Sequence, residues 1–190
     1  MGRSFRCWWG EKLLKPAYID LFDIIESDAF GPVAIGKGLD DIGRILAPPD
    51  YWGFGSEKFF STYLGFGSVE VHFQTQKNMP RVFYAELHMR NFFRGVAKFG
   101  RLQDGRDHRI KNNFAEKWLS YDFLAKEFSR RKIEFHSRYR ETVSSDTSAV
   151  MNFGNNVKFY FADKKKPTLG LICLSADHAP SVGKASSFEN

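Results

Sequence analysis

One pattern occurs twice in this chain, and it constrains the fold more than any other feature. Phe66-Gly67-Ser68-Val69-Glu70-Val71-His72-Phe73 leads past a polar turn to Pro80-Arg81-Val82-Phe83-Tyr84-Ala85-Glu86-Leu87. It is echoed by Phe153-Gly154-Asn155-Asn156-Val157-Lys158-Phe159-Tyr160-Phe161 and then Pro167-Thr168-Leu169-Gly170-Leu171-Ile172-Cys173-Leu174. In each copy apolar and polar residues alternate along two arms, with glycine before the first arm and a polar turn before proline. That is the signature of half-buried antiparallel strands joined as a hairpin. The arms are expected at 69–75 and 81–89, and again at 150–162 and 168–175. Two hairpins of one kind point to a repeated unit, and units of this sort more often bind than catalyse.

Helices are expected beside each hairpin. Pro16 suits a helical first turn, and Tyr18, Leu21, Phe22 and Ile25 recur at i, i+3, i+4 and i+7, which predicts a helix over 16–28. Leu39 to Leu46 carries Asp40 and Asp41 in its first turn, where the helix dipole favours them, and Pro48-Pro49 ends it. In the second half Ser120 is an N-cap, and Tyr121, Leu124 and Phe128 form one face of a helix ending near Arg130-Arg131. Phe59 to Leu64 and Ile133 to His136 are expected as short strands, Val143 to Ala149 as a turn, and Asp50 to Ser56 as an aromatic, glycine-rich loop.

The resulting fold class is α+β, with two similar halves, each a helix plus an antiparallel β-meander. The halves are placed at 1–89 and 114–176, joined by a basic connection over 90–113 and followed by a fraying tail at 177–190. A chain of 190 residues with 20 phenylalanines has material for one good core or two small ones.

Several function classes are set aside by composition. No apolar run approaches the roughly 18 residues that a membrane span needs, and Glu11 and Lys12 interrupt any secretory core, so the chain is expected to be soluble, unprocessed and cytoplasmic. Arg6 stands where a myristoylation motif requires Ser or Thr. With only Cys7 and Cys173, no disulfide framework or zinc motif forms, and Cys173 reads as a small buried thiol in a strand. The net charge of +6 favours acidic partners. Gly36-Lys37-Gly38 is too short for a phosphate loop, and no nucleophile-elbow or zinc-protease motif is present.

Two constellations carry chemistry. Alternation places Val69, Val71 and Phe73 with Phe83, Ala85 and Leu87 on one face of the first hairpin, and Glu70, His72, Glu86 and His88 on the other. Two carboxylates and two imidazoles can hold a divalent metal or move protons. Alternation is also the ordinary mark of a sheet with one face in water, so this face is read as solvated, with no catalytic, cofactor or metal role. Between the halves Arg90, Arg94, Lys98 and Arg101 interleave with Phe92, Phe93 and Phe99, a combination able to contact phosphates and stack bases, though without any RNP-type motif.

Gly38-Leu39-Asp40-Asp41-Ile42-Gly43-Arg44-Ile45-Leu46-Ala47-Pro48-Pro49-Asp50, followed by Leu64-Gly65-Phe66-Gly67-Ser68-Val69-Glu70-Val71-His72-Phe73, resembles small bacterial immunity proteins of polymorphic toxin systems. Ala47 stands where that family's helix usually carries glycine. Trp118-Leu119-Ser120-Tyr121 and Val157-Lys158-Phe159-Tyr160-Phe161 are similar to a second module of the same kind. The resemblance implies a non-catalytic cytoplasmic protein that neutralises a cognate toxin by binding it, without cofactor or turnover. Its interface residues are assigned from chemistry. Tyr51, Trp52 and Phe54 are taken as aromatic anchors, and Arg94, Lys98, Arg101, Arg106 and Arg109 as a patch for an acidic partner. The alternative is a nucleic-acid-binding module that uses the basic segment 90–111.

Overall fold

A computed structural model describes residues 15–56, 61–89, 96–112, 114, 119–139, 147–154, 156–163 and 165–175. The expected tail, Arg94 and the residues from Arg140 to Asp146 lie outside them. The fold mixes α and β, and it is richer in strand than the α+β expectation. The strands are β1 (Ala17–Asp20), β2 (Ala29–Phe30), β3 (Val33–Ala34), β4 (Tyr51–Ser56), β5 (Ser61–Phe66), β6 (Val69–Gln76), β7 (Met79–His88), β8 (Val96–Arg101), β9 (Asp107–Lys111), β10 (His136–Tyr139), β11 (Thr147–Phe153), β12 (Val157–Ala162) and β13 (Thr168–Ser175). The helices are α1 (Leu21–Ser27), α2 (Leu39–Gly43) and α3 (Tyr121–Arg130).

An eight-stranded antiparallel sheet runs β10-β11-β12-β13-β7-β6-β5-β4. Two four-stranded meanders therefore lie in one sheet and meet along their last strands, with Ile172 opposite Leu87 and Cys173 opposite Glu86. One face of this sheet carries Val71, Phe73, Ala85, Leu87, Phe159 and Ile172, all buried in a core shared by both meanders. Covering that core, α3 turns Tyr121, Leu124 and Phe128 inward, α1 adds Leu21 and Ile24, and the β8–β9 pair adds Phe99 and Ile110. Phe128 meets Phe153 and Phe159 edge-on at 5.1 and 6.1 Å, and Tyr121 meets Phe161 at 5.2 Å. No helix among the described residues is long and apolar enough to cross a membrane.

Several local expectations are corrected. The helix predicted over 16–28 begins only at Leu21, because Tyr18 and Ile19 are drawn into parallel pairing with Arg109 and Ile110. Asp20 ends the strand and caps the helix: its Oδ1 accepts from Phe22 N and Asp23 N at 2.8 and 2.9 Å, while its own N donates to Asp23 Oδ2 at 2.8 Å. The predicted loop over Asp50 to Ser56 is strand β4 from Tyr51 onward, an edge of the large sheet among the described residues, and within it Gly53 is covered by the Tyr63 ring. Segment 90–113 contains the β8–β9 hairpin, whose exposed Lys98 and Arg101 alternate with buried Phe99, so charge masks a strand. Thr147 and Ser148 belong to β11 rather than to a turn, and the turn follows at Gly154, where φ is +52°. Ile133 to Phe135 precede β10, which starts at His136. The helix predicted to Leu46 closes at Gly43. Finally, a bulge between His72 and Phe73 puts Val82, not Phe83, opposite Phe73 and into the core.

The small sheet β1-β9-β8 contains a buried histidine. His108 stacks on Phe99 with ring centroids 4.8 Å apart, and its Nδ1 is buried without a hydrogen-bond partner. Gly31, at φ +57°, leaves room for the ring, since a Cβ there would lie 2.6 Å from His108 Cε1. Burial, and secondarily Arg106, lowers the His108 pKa from its ordinary value. The unfolded chain therefore binds this proton more readily than the folded one. Stability linked to His108 is complete above the ordinary imidazole range and is lost as pH falls from there through the lowered folded value. In urea titrations across that window, His108→Phe should flatten the acid-side loss seen in the wild type. Equal slopes would show that His108 does not couple to folding.

Candidate functional site

The polar face of the large sheet gathers Glu70, His72, Tyr84, Glu86 and His88, and pairing fixes their positions. Glu70 lies directly opposite Glu86, and His72 opposite Tyr84. On the far side of β7, Cys173 lies opposite Glu86. Tyr84 Oη donates to Glu86 Oε2 at 2.8 Å and lies 3.1 Å from Cys173 Sγ; its single proton is thereby committed to the carboxylate, and the thiol donates to it. His88 Nε2 lies 2.9 Å from Glu86 Oε1, and Tyr51 Oη donates to Glu70 Oε2 at 3.3 Å.

His72 is held differently. Its ring is packed among Tyr63, Phe83 and Tyr84, at centroid distances of 5.6, 6.2 and 5.2 Å. Its Nε2 comes within 2.9 Å of Glu70 Oε1, but in a geometry that makes no hydrogen bond, and the atom is buried. Burial on its own would raise the Glu86 pKa; hydrogen bonds from His88 and Tyr84 outweigh it and pull the carboxyl below its usual range, so Glu86 is ionised at neutral pH. Burial, reinforced by the nearby Glu86 charge, pushes the Cys173 thiol up to about 12, which leaves it protonated and a poor nucleophile. Burial first, then the Glu70 charge, pushes Tyr51 up to about 12. A groove of about 730 Å³ opens next to His88, with Tyr160, Ala162, Asp163 and Leu171 among its walls.

The aromatic residues singled out in the sequence sit on β4, which is the edge of the large sheet among the described residues. Tyr51 turns to the polar face. Its ring lies over Gly65, while Tyr63 covers Gly53, whose added Cβ would meet the Tyr63 hydroxyl at 2.5 Å. Trp52 and Phe54 point the other way, along the apolar face, and are 65% and 76% exposed. They touch edge-on at 5.6 Å and continue the core face beyond its cover.

The basic residues divide. Lys98 and Arg101 are exposed on β8. Arg106 and Arg109 are each engaged at 2.7 Å, by Asp104 and Asp107 respectively. Phe99, expected among the base-stacking rings, is fully buried. The aromatic edge and the basic strand meet at the β5–β6 turn, where Ser68 N donates to the Lys98 carbonyl at 2.7 Å and Gly67 N donates to Asp50 Oδ2 at 2.6 Å.

The sequence reading placed Glu70, His72, Glu86 and His88 on one face, as found, but missed Tyr84, Tyr63 and Cys173 beside them. Simple alternation does place Tyr84 in step with Glu86. Cys173 reads as a buried thiol in the apolar register of its strand, and only the pairing that sets it opposite Glu86 puts it beside the polar cluster. Compared with protein-family models, curated proteins and solved structures, the chain has no match.

Proposed function

We propose that this chain is a non-catalytic binding protein that docks a protein partner along β4, and that the partner is a bacterial toxin which it neutralises, as the resemblance implies. The observation that carries the docking reading is the pairing of a strand edge that is open among the described residues with exposed Trp52 and Phe54. An unpaired edge offers a row of backbone donors and acceptors, and natural sheets usually blunt such an edge with charge or proline. Here it carries large rings instead, and Trp and Tyr are the side chains that anchor protein interfaces. A partner strand added to β4 would gain main-chain hydrogen bonds and cover both rings. Lys98 and Arg101, held close by through the β5–β6 turn, favour a partner with acidic groups at that end and speed its approach. Burial of Phe99 and the ion pairs of Arg106 and Arg109 leave the nucleic-acid alternative with fewer free groups.

The test is capture from a nuclease-treated lysate with wild-type protein and with the double variant Trp52→Ser/Phe54→Ser. A stoichiometric protein retained by the first and lost by the second is expected, and production of that protein alone should arrest growth unless this chain is present. Retention by both chains would remove β4 from the interface. Recovery of nucleic acid alone from untreated lysate would replace the reading.

A single-site check addresses the anchor geometry. Gly65→Ala puts a methyl group where the Tyr51 ring lies. It should expel Tyr51, lower the ring's hydrogen bonding to Glu70 and weaken partner binding by roughly tenfold, a typical loss of about 1.4 kcal/mol at a contact. Unchanged binding, with Tyr51 seen displaced by NMR, would show that this ring is not an anchor.

A further inference from the structure

We propose that Glu70, His72 and Glu86 form a site for a divalent first-row transition cation, Zn²⁺ foremost, on the polar face of the large sheet. This goes beyond the docking reading and does not rest on it. One donor atom from each residue lies within 4.8 Å of the others. Donors sharing a tetrahedral zinc at about 2.0–2.2 Å stand roughly 3.3–3.6 Å apart, so closure requires side-chain rotation and no strand movement.

Three features set this cluster apart from an ordinary solvated face. First, His72 Nε2 is buried and makes no hydrogen bond, although it lies 2.9 Å from Glu70 Oε1 and rings on three sides fix its direction. A buried imidazole nitrogen that faces a carboxylate without forming a hydrogen bond is a loss to the fold that a metal bound between the two would remove. Second, Glu70 and Glu86 face each other across adjacent strands, where like charges repel. A dication between them turns that repulsion into ligation. Third, the carboxylates are already oriented from behind: Tyr84 Oη and His88 Nε2 hold Glu86, and Tyr51 Oη holds Glu70. Such outer partners are a regular part of metal sites and fix the direction of the ligand lone pairs.

The donor set selects the ion. One imidazole nitrogen and two carboxylates suit zinc, manganese or ferrous iron better than a soft thiolate-seeking ion or an all-oxygen calcium site. Cys173 is not one of the converging atoms; its thiol is directed to Tyr84. Three protein ligands leave a fourth position for water or for a group of a partner.

The experiment uses the untagged full chain stripped with EDTA. ZnCl₂ is titrated by calorimetry, and metal is counted by mass spectrometry after gel filtration. One zinc per chain is expected, with a rise in Tm on loading. His72→Gln and Glu86→Gln should each weaken uptake by about 100-fold or more, and Tyr84→Phe, which removes only an outer partner, by about tenfold. Circular dichroism of the metal-free variants confirms folding, and either ligand variant suffices if the other does not fold. Co²⁺-loaded protein should show weak visible bands without an intense sulfur charge-transfer band. Absence of saturable one-to-one uptake by the wild type, uptake undisturbed in a folded ligand variant, or a thiolate band would each overturn the assignment.

Discussion

Phe128→Ala is expected to destabilise the protein by about 3–5 kcal/mol, the usual cost of emptying a buried aromatic site. Phe128 is fully buried on α3 and touches four rings: Phe22 at 6.2 Å, Phe135 at 6.1 Å, Phe153 at 5.1 Å and Phe159 at 6.1 Å. It joins the N-terminal helix, the C-terminal meander and α3 in one contact, so no single element can relax into the space it leaves. For a chain of this size each kcal/mol moves Tm by about 2–4 °C, which predicts a fall of roughly 6–20 °C. Urea denaturation and thermal melting read this directly. The comparison is Phe54→Ala, which removes the same side chain from an exposed position and should change stability by no more than about 0.5 kcal/mol. A loss for Phe128→Ala below about 1 kcal/mol would mean that α3 does not pack on the sheet in solution.

Gly67→Ala is expected to be nearly as damaging, for a different reason. Gly67 has φ +63°, and a Cβ there would lie 2.5 Å from the backbone oxygen of Lys98. The backbone conformation alone costs a non-glycine residue about 1–2 kcal/mol. The clash adds to this because its partner is main chain, which cannot swing aside as a side chain does. To make room, β8 must draw away from the turn and loosen the Ser68 N to Lys98 O bond. A total of about 2–4 kcal/mol follows if one hydrogen bond is lost on top of the conformational cost. Gly36→Ala isolates the two contributions: φ there is +81°, but nothing lies within 4 Å of an added Cβ. It should show the conformational cost alone. Equal losses for the two variants would mean that β8 yields freely. If only Gly67→Ala weakens partner capture, the link between the basic strand and the aromatic edge matters for binding.

How far the fold was legible depended on whether a residue's fate was set by its near neighbours. The first hairpin was read almost to the residue because Val69, Val71 and Phe73 alternate with Glu70 and His72, and alternation fixes both strand and face. α3 was equally plain: Ser120 caps it through Phe123 N at 3.3 Å, and Tyr121, Leu124 and Phe128 share a stripe. Misreadings arose where distant partners decided. Tyr18 and Ile19 fit a helical stripe as well as a strand, and only β9 alongside them settled the matter. Tyr51 to Ser56 carries two glycines and reads as a loop until β5 supplies hydrogen bonds and Tyr63 covers Gly53. The charges of β8 and β9 read as a linker because Phe99 and Ile110 bury themselves against a core built by other segments.

The same division runs through the candidate sites. The sequence by itself determined that Glu70, His72, Glu86 and His88 would share a face, because the period of a strand is a local property of the backbone. Tertiary structure alone decided that Glu70 stands opposite Glu86, that the imidazole of His72 is enclosed by rings, and that Tyr84 and Cys173 join the cluster. It alone decided that β4 is an edge of the sheet among the described residues. Pairing register and strand order are set by which apolar faces can be buried together across the whole chain, and that sum over distant contacts is not written in any local pattern.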